Sequence, residues 1–560
     1  MPKAILTAAL AVLLFPATVL AQATRSDTIA CGLASARGSA EGVAHDFTRL
    51  LQLTGDVPAR ATLIRRGGER LAVPCGETMA LGERWYESPS DTWATLLPIR
   101  ADMGFNTRYP RGANDGPLWA GRGLAAGVRG GIELRYGAFS AALAPTAVFA
   151  ENRGFARPER TISRLSPFAY PWHGGSIDWP QRPGSDSWST LDPGQSFVRV
   201  DAYGLAAGVS TENLWWGPAL FNPLLLGNNA AGFPHFFVGT SGPLDIRIGT
   251  LDFDLVWGRL TESDWFDGDP DNDHRLISGL VVDFEPVFAP GLYLGAARMY
   301  LATIPPDGFG VDDFFLQPYR GIRDNLPGTF AGDNQLISVF GRFVAPGAGL
   351  EAWAEWARED HWADFEDFAK QPDHSQAYTL GVQKVVDRED GWLRLYGELT
   401  HLQSAITIRS FRPGANFYTN SSVRQGHTHR GQLLAAGIGP GSDMQVVGGD
   451  WLTTWGRSGL FFQRTRYDDD AYYANFARFY AQNGHDVELT VGARQRLFLG
   501  PVDLDWELTY SHRYNRNFVG FEAANFDVLF SERNWGIRLG ASWVPRLALL
   551  SATRTTPSPQ

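Results

Sequence analysis

The residues best suited to chemistry sit in a few strings between apolar runs. TENLWWGPALFNPLLLGNNAAGFPH (211–235) combines Trp215 and Trp216 with Asn228, Asn229 and His235. Flat aromatic faces stack on the apolar C–H faces of sugars, and amide or carboxylate groups fix hydroxyls. NDGPLWAGRG (114–123) adds Asn114, Asp115 and Trp119. GHTHRG (426–431) and the residue after it add His427, His429 and Gln432. These eleven are the candidate glycan-binding residues. Each has a plainer role available, packing its loop and closing the fold, because buried aromatics are mostly core. Other strings fall short of a mechanism. DGDPDND (267–273), laid on an EF-hand loop, puts Asn272 at the glycine position and Ser278 at the bidentate Glu position, so it reads as a solvated acidic loop. The two histidines of GHTHRG lack an adjacent third metal ligand. GRGLAAG (121–127) lacks the strand-to-helix context of a phosphate loop, and HGGS (173–176) is followed by no G-x-S-x-G. No nucleophile–base set is legible, so the chain is expected not to be an enzyme and to need no cofactor or metal.

The elements that must position these strings have a period of two. LDFDLVWGRL (251–260) alternates Leu251, Phe253, Leu255 and Trp257 with Asp252, Asp254, Val256 and Gly258. VDLDWELTYS (502–511), NWGIRLGASW (534–543) and GWLRLYGELT (391–400) repeat the pattern, with Leu393, Leu395 and Leu399 opposite Arg394, Glu398 and Thr400. Runs of this length, apolar on one face and charged on the other, fit strands that cross a bilayer at a tilt around a polar lumen. A closed barrel is the β structure that lipid permits, since every backbone group is paired internally. Nine long and eight short links alternate along the chain, which predicts an all-β transmembrane antiparallel barrel of about 18 strands. Parity places 211–235 among the long, extracellular loops.

The N-terminus explains how such a chain reaches a membrane. Lys3 precedes an apolar run over 4–20 and small residues at Val19, Ala21 and Ala23, the order of a secretory signal peptide. Beyond it no run of roughly 18 apolar residues occurs, so no spanning helix is expected. The mature chain holds two cysteines, Cys31 and Cys75, and export predicts a disulfide between them. Val43, Phe47, Leu50 and Leu51 share a helical face over 39–55, with Gly55 as a stop, and a second short helix is expected near Ala61–Arg66. The expected domains are a signal peptide (1–21), a small, mainly helical periplasmic unit (24–92), the barrel (93–545) and a C-terminal tail (546–560) that is not strand-like. Net charge is −11, with no basic stripe, which excludes nucleic acid as a partner.

Longer strings carry a resemblance. NDGPLWAGRG (114–123), GSIDWPQRPG (175–184), DPGQSFVRVD (192–201), TENLWWGP (211–218), NNAAGFPHFFVGT (228–240), GRLTESDWF (258–266), QGHTHRGQLLAAGIGPGS (425–442) and DDDAYYANF (468–476) lie in order along the chain. Together they resemble the capsule assembly Wzi family over roughly 95–545. The resemblance implies an 18-stranded outer-membrane barrel with an N-terminal helical unit at its periplasmic mouth. It implies a lectin-like protein that attaches or organises capsular polysaccharide, with outer-membrane lipid and the capsule export machinery as further partners and a monomeric state. The chain departs from such barrels in not ending on an aromatic strand residue. The alternative reading from the residues is a porin or polysaccharide export pore, which the lumen-facing Asp252, Asp254, Arg394 and Glu398 permit.

Overall fold

The computed structural model describes residues 32–35, 43–58, 63–66, 70–73, 92–158, 164–304, 333–359, 369–373, 375–404, 416–476, 484–518, 531–543 and 548–551. The expected signal peptide and the Cys31–Cys75 disulfide lie outside them.

Eighteen antiparallel strands close on themselves. In chain order they are β1 (Thr92–Asn106), β2 (Gly123–Tyr136), β3 (Phe139–Leu143 and Thr146–Ala150), β4 (Trp188–Asp192 and Phe197–Ala202), β5 (Leu205–Ser210) and β6 (His235–Thr240 and Leu244–Asp245). There follow β7 (Gly249–Thr261), β8 (His274–Pro286), β9 (Leu292–Thr303), β10 (Asn334–Ala345), β11 (Leu350–Glu359) and β12 (Gln376–Arg388). The last are β13 (Gly391–His401), β14 (Asp443–Thr453), β15 (Gly456–Tyr467), β16 (Asp486–Leu499), β17 (Val502–Tyr514) and β18 (Ser531–Trp543 and Ala548–Ser551). Closure is made by β18 on β1, with Trp543 opposite Ile99 and Ser551 opposite Thr92. Pro145 and Pro193 interrupt β3 and β4, because proline has no N–H for the ladder.

The alternation does what the sequence predicts. In β7, Asp252, Asp254, Val256 and Leu260 are buried toward the lumen. In β17, Leu504, Trp506 and Leu508 are exposed outside while Asp503 and Thr509 are buried inside. The outward row continues around the wall through Val128, Val200, Leu280, Val339, Leu395, Leu460 and Ile537, all exposed. An apolar belt of this extent is stable only against hydrocarbon. Trp455, Tyr136 and Tyr203 stand exposed at short turns, where an interfacial girdle belongs. No helix among the described residues is long and apolar enough to cross a membrane.

Two expectations are corrected. The second helix expected near Ala61–Arg66 is not present at its described residues, 63–66: Ile64–Arg65 is a two-residue strand that pairs with Trp215–Trp216. β-branched Ile64 suits that pairing, and six residues are too few to nucleate a helix without packing. The N-terminal unit holds a helix, as expected, beside short strands. Its described part is one helix, α1 (Val43–Thr54), a strand pair of Gly32–Ser35 with Arg70–Val73, and Ile64–Arg65. The tail is not free of strand either, since Ala548–Ser551 extends β18 along β1. Pro545 and Pro557 lie on either side of that stretch in the sequence.

α1 forms where its apolar stripe predicts, and Gly55 ends it with φ +84°. It lies inside the barrel rather than beneath it. Arg394 Nη1 donates to both oxygens of Asp46 at 3.0 Å, Arg342 Nη2 donates to Gln52 at 2.7 Å, and Arg49 Nε donates to Glu351 at 2.6 Å. Four elements of the wall thus hold one face of the helix, since Arg457 Nη1 also reaches Asp46 at 3.0 Å.

Candidate functional site

The segment 211–234 joins β5 to β6, yet it crosses the lumen. The backbone N–H groups of Leu220, Phe221 and Asn222 donate to the Glu398 carboxylate on β13 at 2.5, 3.0 and 3.0 Å. Three convergent N–H groups on one carboxylate make a charge-assisted anchor. Thr379 on β12 donates to the Asn222 carbonyl at 3.2 Å, and Tyr418 donates to the Leu224 carbonyl at 2.9 Å. Within this long link the tryptophan pair is a short strand: Trp216 pairs with Ile64 and Trp215 with Arg65. Successive strand residues face opposite ways. Trp216 is 1% exposed and lies over Gly279, where a Cβ would stand 2.8 Å from its ring. Trp215 lies beneath the Arg65 guanidinium, 4.8 Å from ring centroid to Cζ, and borders a cavity.

Three loops carrying candidate residues meet above that cavity. Asn228 Nδ2 donates to the Asn114 carbonyl at 3.0 Å, and Asn114 Nδ2 donates to the Phe221 carbonyl at 2.8 Å. Asn229 Nδ2 donates to the Leu433 carbonyl at 3.1 Å, and Gln432 Nε2 donates to the Gly116 carbonyl at 3.3 Å. Asp115 takes both prongs of the Arg538 guanidinium from β18, at 2.5 and 2.8 Å. Asn114, held at φ +57°, leaves its buried Oδ1 without a partner. An unpaired buried amide oxygen costs roughly 1–3 kcal/mol, so a donor from water or ligand is expected there.

Two cavities adjoin this junction. The outer, about 390 Å³, is bordered by Trp119, Trp179, Asn114, Asn229 and Gln432, with Arg513 and Arg516 opposite. The inner, about 490 Å³, is bordered by Asn114, Asp115, Asn228 and Trp215 and reaches Asp46 and Arg65 of the N-terminal unit. Indole faces, amides and guanidinium groups around a recess of this size suit a polyhydroxylated ligand. Replacing Trp119 with alanine removes one aromatic wall of the outer cavity from a half-buried position. Glycan affinity is expected to fall about tenfold, corresponding to the ~1.4 kcal/mol of one lost stacking face, with little change in melting. Titration calorimetry on the folded barrel checks both quantities.

Seven of the candidates therefore border the cavities: Asn114, Asp115, Trp119, Trp215, Asn228, Asn229 and Gln432. The other four are placed in packing. Trp216 fills the core, and His235 is buried with Nδ1 hydrogen-bonded to the Phe233 carbonyl at 2.8 Å. His427 stacks on Tyr418 at 5.3 Å, and His429 is fully buried. The plainer role wins for these because their rings reach no cavity of the loop junction. Sequence reasoning missed Trp179, Arg494, Arg513, Arg516 and Arg538. The strings holding them alternate in strand fashion or sit in loops, and nothing local says that they converge.

The buried histidines set a pH response of the loop cap. His427 Nε2 donates to the Leu225 carbonyl at 2.6 Å, and burial, with Arg275 nearby, pushes its pKa down to about 4. His429 Nδ1 accepts from the Thr261 N–H at 3.1 Å, and burial, then Arg430 and Arg275, holds it well below the ordinary range. A proton on that Nδ1 would break the bond from Thr261. The folded state binds fewer protons than the unfolded one between about pH 4 and 6.5 at His427, so the stability present above 6.5 is lost as pH falls through that window. Burial pushes neighbouring Glu262 up to about 8 and Asp178 up to about 6, which acts in the opposite sense. The histidine contribution is read as a difference: His427→Gln keeps a donor for Leu225 and is expected to lose fewer degrees of Tm than wild type between pH 7 and 4.5.

No family model matches the sequence, and no curated protein matches it. The structure is similar to that of Wzi from Escherichia coli, an outer membrane protein involved in group 1 capsule assembly and a carbohydrate-binding β-barrel. The TM-score is 0.59 at 13% identity, covering 92% of this chain and 100% of that one. It is also similar, at a TM-score of 0.40, to OccAB2 of Acinetobacter baumannii (10% identity, 80% of this chain and 98% of that one). OprD of Pseudomonas aeruginosa stands at the same score (11% identity, 81% and 96%). The first likeness shows a shared outer-membrane barrel fold.

Proposed function

We propose that this chain is an outer-membrane barrel that binds surface polysaccharide, capsular polysaccharide foremost, and helps attach or assemble the capsule at the cell surface. It acts by binding rather than by catalysis, with the long loops outside the cell and the N-terminal unit on the periplasmic side. The observation that carries this reading is the junction of three loops. Asn114, Asn228, Asn229 and Gln432 lock the loops to one another above a recess walled by Trp119, Trp179 and Trp215. A preorganised recess loses little entropy on binding a stiff ligand. Membership of the capsule assembly Wzi family is part of this proposal, supported by the ordered loop strings and by the carbohydrate-binding barrel whose fold it shares.

The pore reading is disfavoured by how full the lumen is. α1 is held to the wall from inside, and the Ile64–Arg65 strand of the N-terminal unit pairs there with Trp215–Trp216 of the 211–234 segment. The test is deletion of the gene in a capsulated host, together with glycan binding by the purified barrel. Loss of polysaccharide from the cell surface and saturable binding are expected. Capsule that stays cell-attached, with no glycan bound by the protein, would sink the proposal.

A further inference from the structure

The chain leaves the barrel wall at Ser210 and re-enters it at His235, and this leaves a notch in the sheet. The ladders of β5 end at Ser210, opposite Phe197 on one side and His235 on the other. The ladder between β6 and β7 ends with His235 opposite Gly258, yet β7 runs on to Thr261. On the other side of the notch, Trp188–Asp192 of β4 pairs with β3 and, among the described residues, with no further strand. Loop residues span the notch instead. The Arg259 N–H donates to the Pro234 carbonyl at 3.0 Å, and the Arg430 N–H donates to the Thr261 carbonyl at 2.8 Å. The Arg430 side chain reaches across to Asp192 at 2.8 Å.

A groove of about 920 Å³ opens beside the notch on the outer face of the wall. Its floor is a row of cross-strand neighbours. Ala141 stands opposite Val198, Val198 opposite Val209, Val209 opposite Phe236, and Phe236 opposite Trp257. Residues directly opposite one another share a face. Val198 and Val209 are exposed, so the row faces the membrane. Arg259 lies two residues beyond Trp257, shares that face and is exposed at the notch. It is the one arginine, lysine or carboxylate among the residues lining the groove, and it makes no ion pair among the described residues. A groove left unfilled forfeits dispersion contacts along its floor, and a flexible acyl chain can follow it. A guanidinium at the edge of hydrocarbon needs an anion, and a phosphate headgroup matches its fork. A second copy docked symmetrically by the same face would bring another arginine there, not an anion.

We propose that this groove docks an acyl chain of an anionic membrane lipid whose phosphate is held by Arg259 at the notch. The lipid belongs to the leaflet at the long-link rim of the barrel. The site needs only the barrel wall, so it stands independently of the polysaccharide reading above.

The full-length protein, stripped of lipid in detergent, is titrated by native mass spectrometry with three probes. Dipalmitoyl phosphatidic acid has chains and phosphate, dipalmitoylglycerol has the same chains alone, and glycerol 3-phosphate has the phosphate alone. Saturable binding of a single phosphatidic acid is expected, about tenfold tighter than dipalmitoylglycerol, the factor of one charge-assisted contact. Glycerol 3-phosphate is expected not to bind. Arg259→Gln is expected to shrink the preference to about twofold or less while leaving dipalmitoylglycerol binding unchanged. Val209→Trp sets an indole into the groove from an exposed position and is expected to weaken both lipids about tenfold. The heat-dependent gel mobility of the barrel confirms that each variant is folded. Equal binding of the two lipids, or a preference untouched by Arg259→Gln, overturns the site, as does lipid binding untouched by Val209→Trp. Glycerol 3-phosphate that binds as tightly as phosphatidic acid overturns the lipid in favour of a free anion. A dimer that Val209→Trp splits, with no lipid bound, overturns it in favour of a second copy of the chain.

Discussion

Glu351→Ala is expected to release α1 from the barrel wall and to turn a nearly silent barrel into a conducting one. Glu351 is fully buried and receives three donors: Arg49 Nε from α1 at 2.6 Å, Arg342 Nε at 2.9 Å and Gln383 Nε2 at 2.6 Å. Arg49 and Arg342 are themselves buried. Removing the carboxylate takes away the negative charge that the Arg49 and Arg342 guanidinium groups share inside the lumen. Breaking a buried pair from one side costs on the order of 3–5 kcal/mol. The cheapest relief is for Arg49 to leave with its helix, because Arg342 is fixed on β10. In planar bilayers the wild type is expected to show at most small, intermittent currents, and Glu351→Ala long, steady openings. Glu351→Gln, which keeps an acceptor oxygen, is expected to lie between them. Wild-type currents as large as those of Glu351→Ala would mean that α1 does not close the lumen, and the pore reading would return.

The second large effect separates the two adjacent tryptophans. Trp216→Ala empties a fully buried site beside Gly279 on β8 and is expected to destabilise the folded barrel by about 3–5 kcal/mol, the usual cost of truncating a core aromatic. Gly279→Ala is expected to mimic part of that loss, because its Cβ would stand 2.8 Å from the Trp216 ring. Trp215→Ala removes a side chain that covers Arg65 and borders the inner cavity. Its melting loss is expected to be smaller than that of Trp216→Ala, and its glycan affinity to fall about tenfold, the factor of one stacking or hydrogen-bonding contact. Melting followed by gel mobility and glycan titration by calorimetry read the two effects separately. If Trp216→Ala melts like the wild type, the lumen-spanning segment is not part of the barrel's core. If Trp215→Ala binds glycan unchanged, the inner cavity contributes nothing to recognition.

The barrel was legible because its signal is local. A lumen-facing Asp252 and a lipid-facing Phe253 alternate within one strand, and the contrast is set by the solvents on the two faces. Link lengths carried the strand number for the same reason: Gly500–Pro501 joins two strands in two residues, whereas the link between β13 and β14 is about forty residues long. The errors came where local preference is weak. Ile64–Arg65 became a strand because Trp215–Trp216, far away in the chain, supplied its hydrogen bonds. Ala548–Ser551 joined β18 because β1 had an open edge beside it.

The sequence alone determined a closed, antiparallel, 18-stranded barrel whose Trp- and Asn-rich segments fall in the long links. Period, parity and composition suffice for that, since each is fixed by short-range sterics and by lipid on one face. The tertiary structure alone decided which of those residues face a recess. Trp215 and Trp216 are neighbours of one type, and only the pairing with Ile64–Arg65 sends one toward a cavity and the other into the core. The same holds for the arginines of the inner cavity. Arg129, Arg496 and Arg538 come from three strands widely separated in sequence, and they border one cavity only once the sheet has closed and brought β18 beside β1.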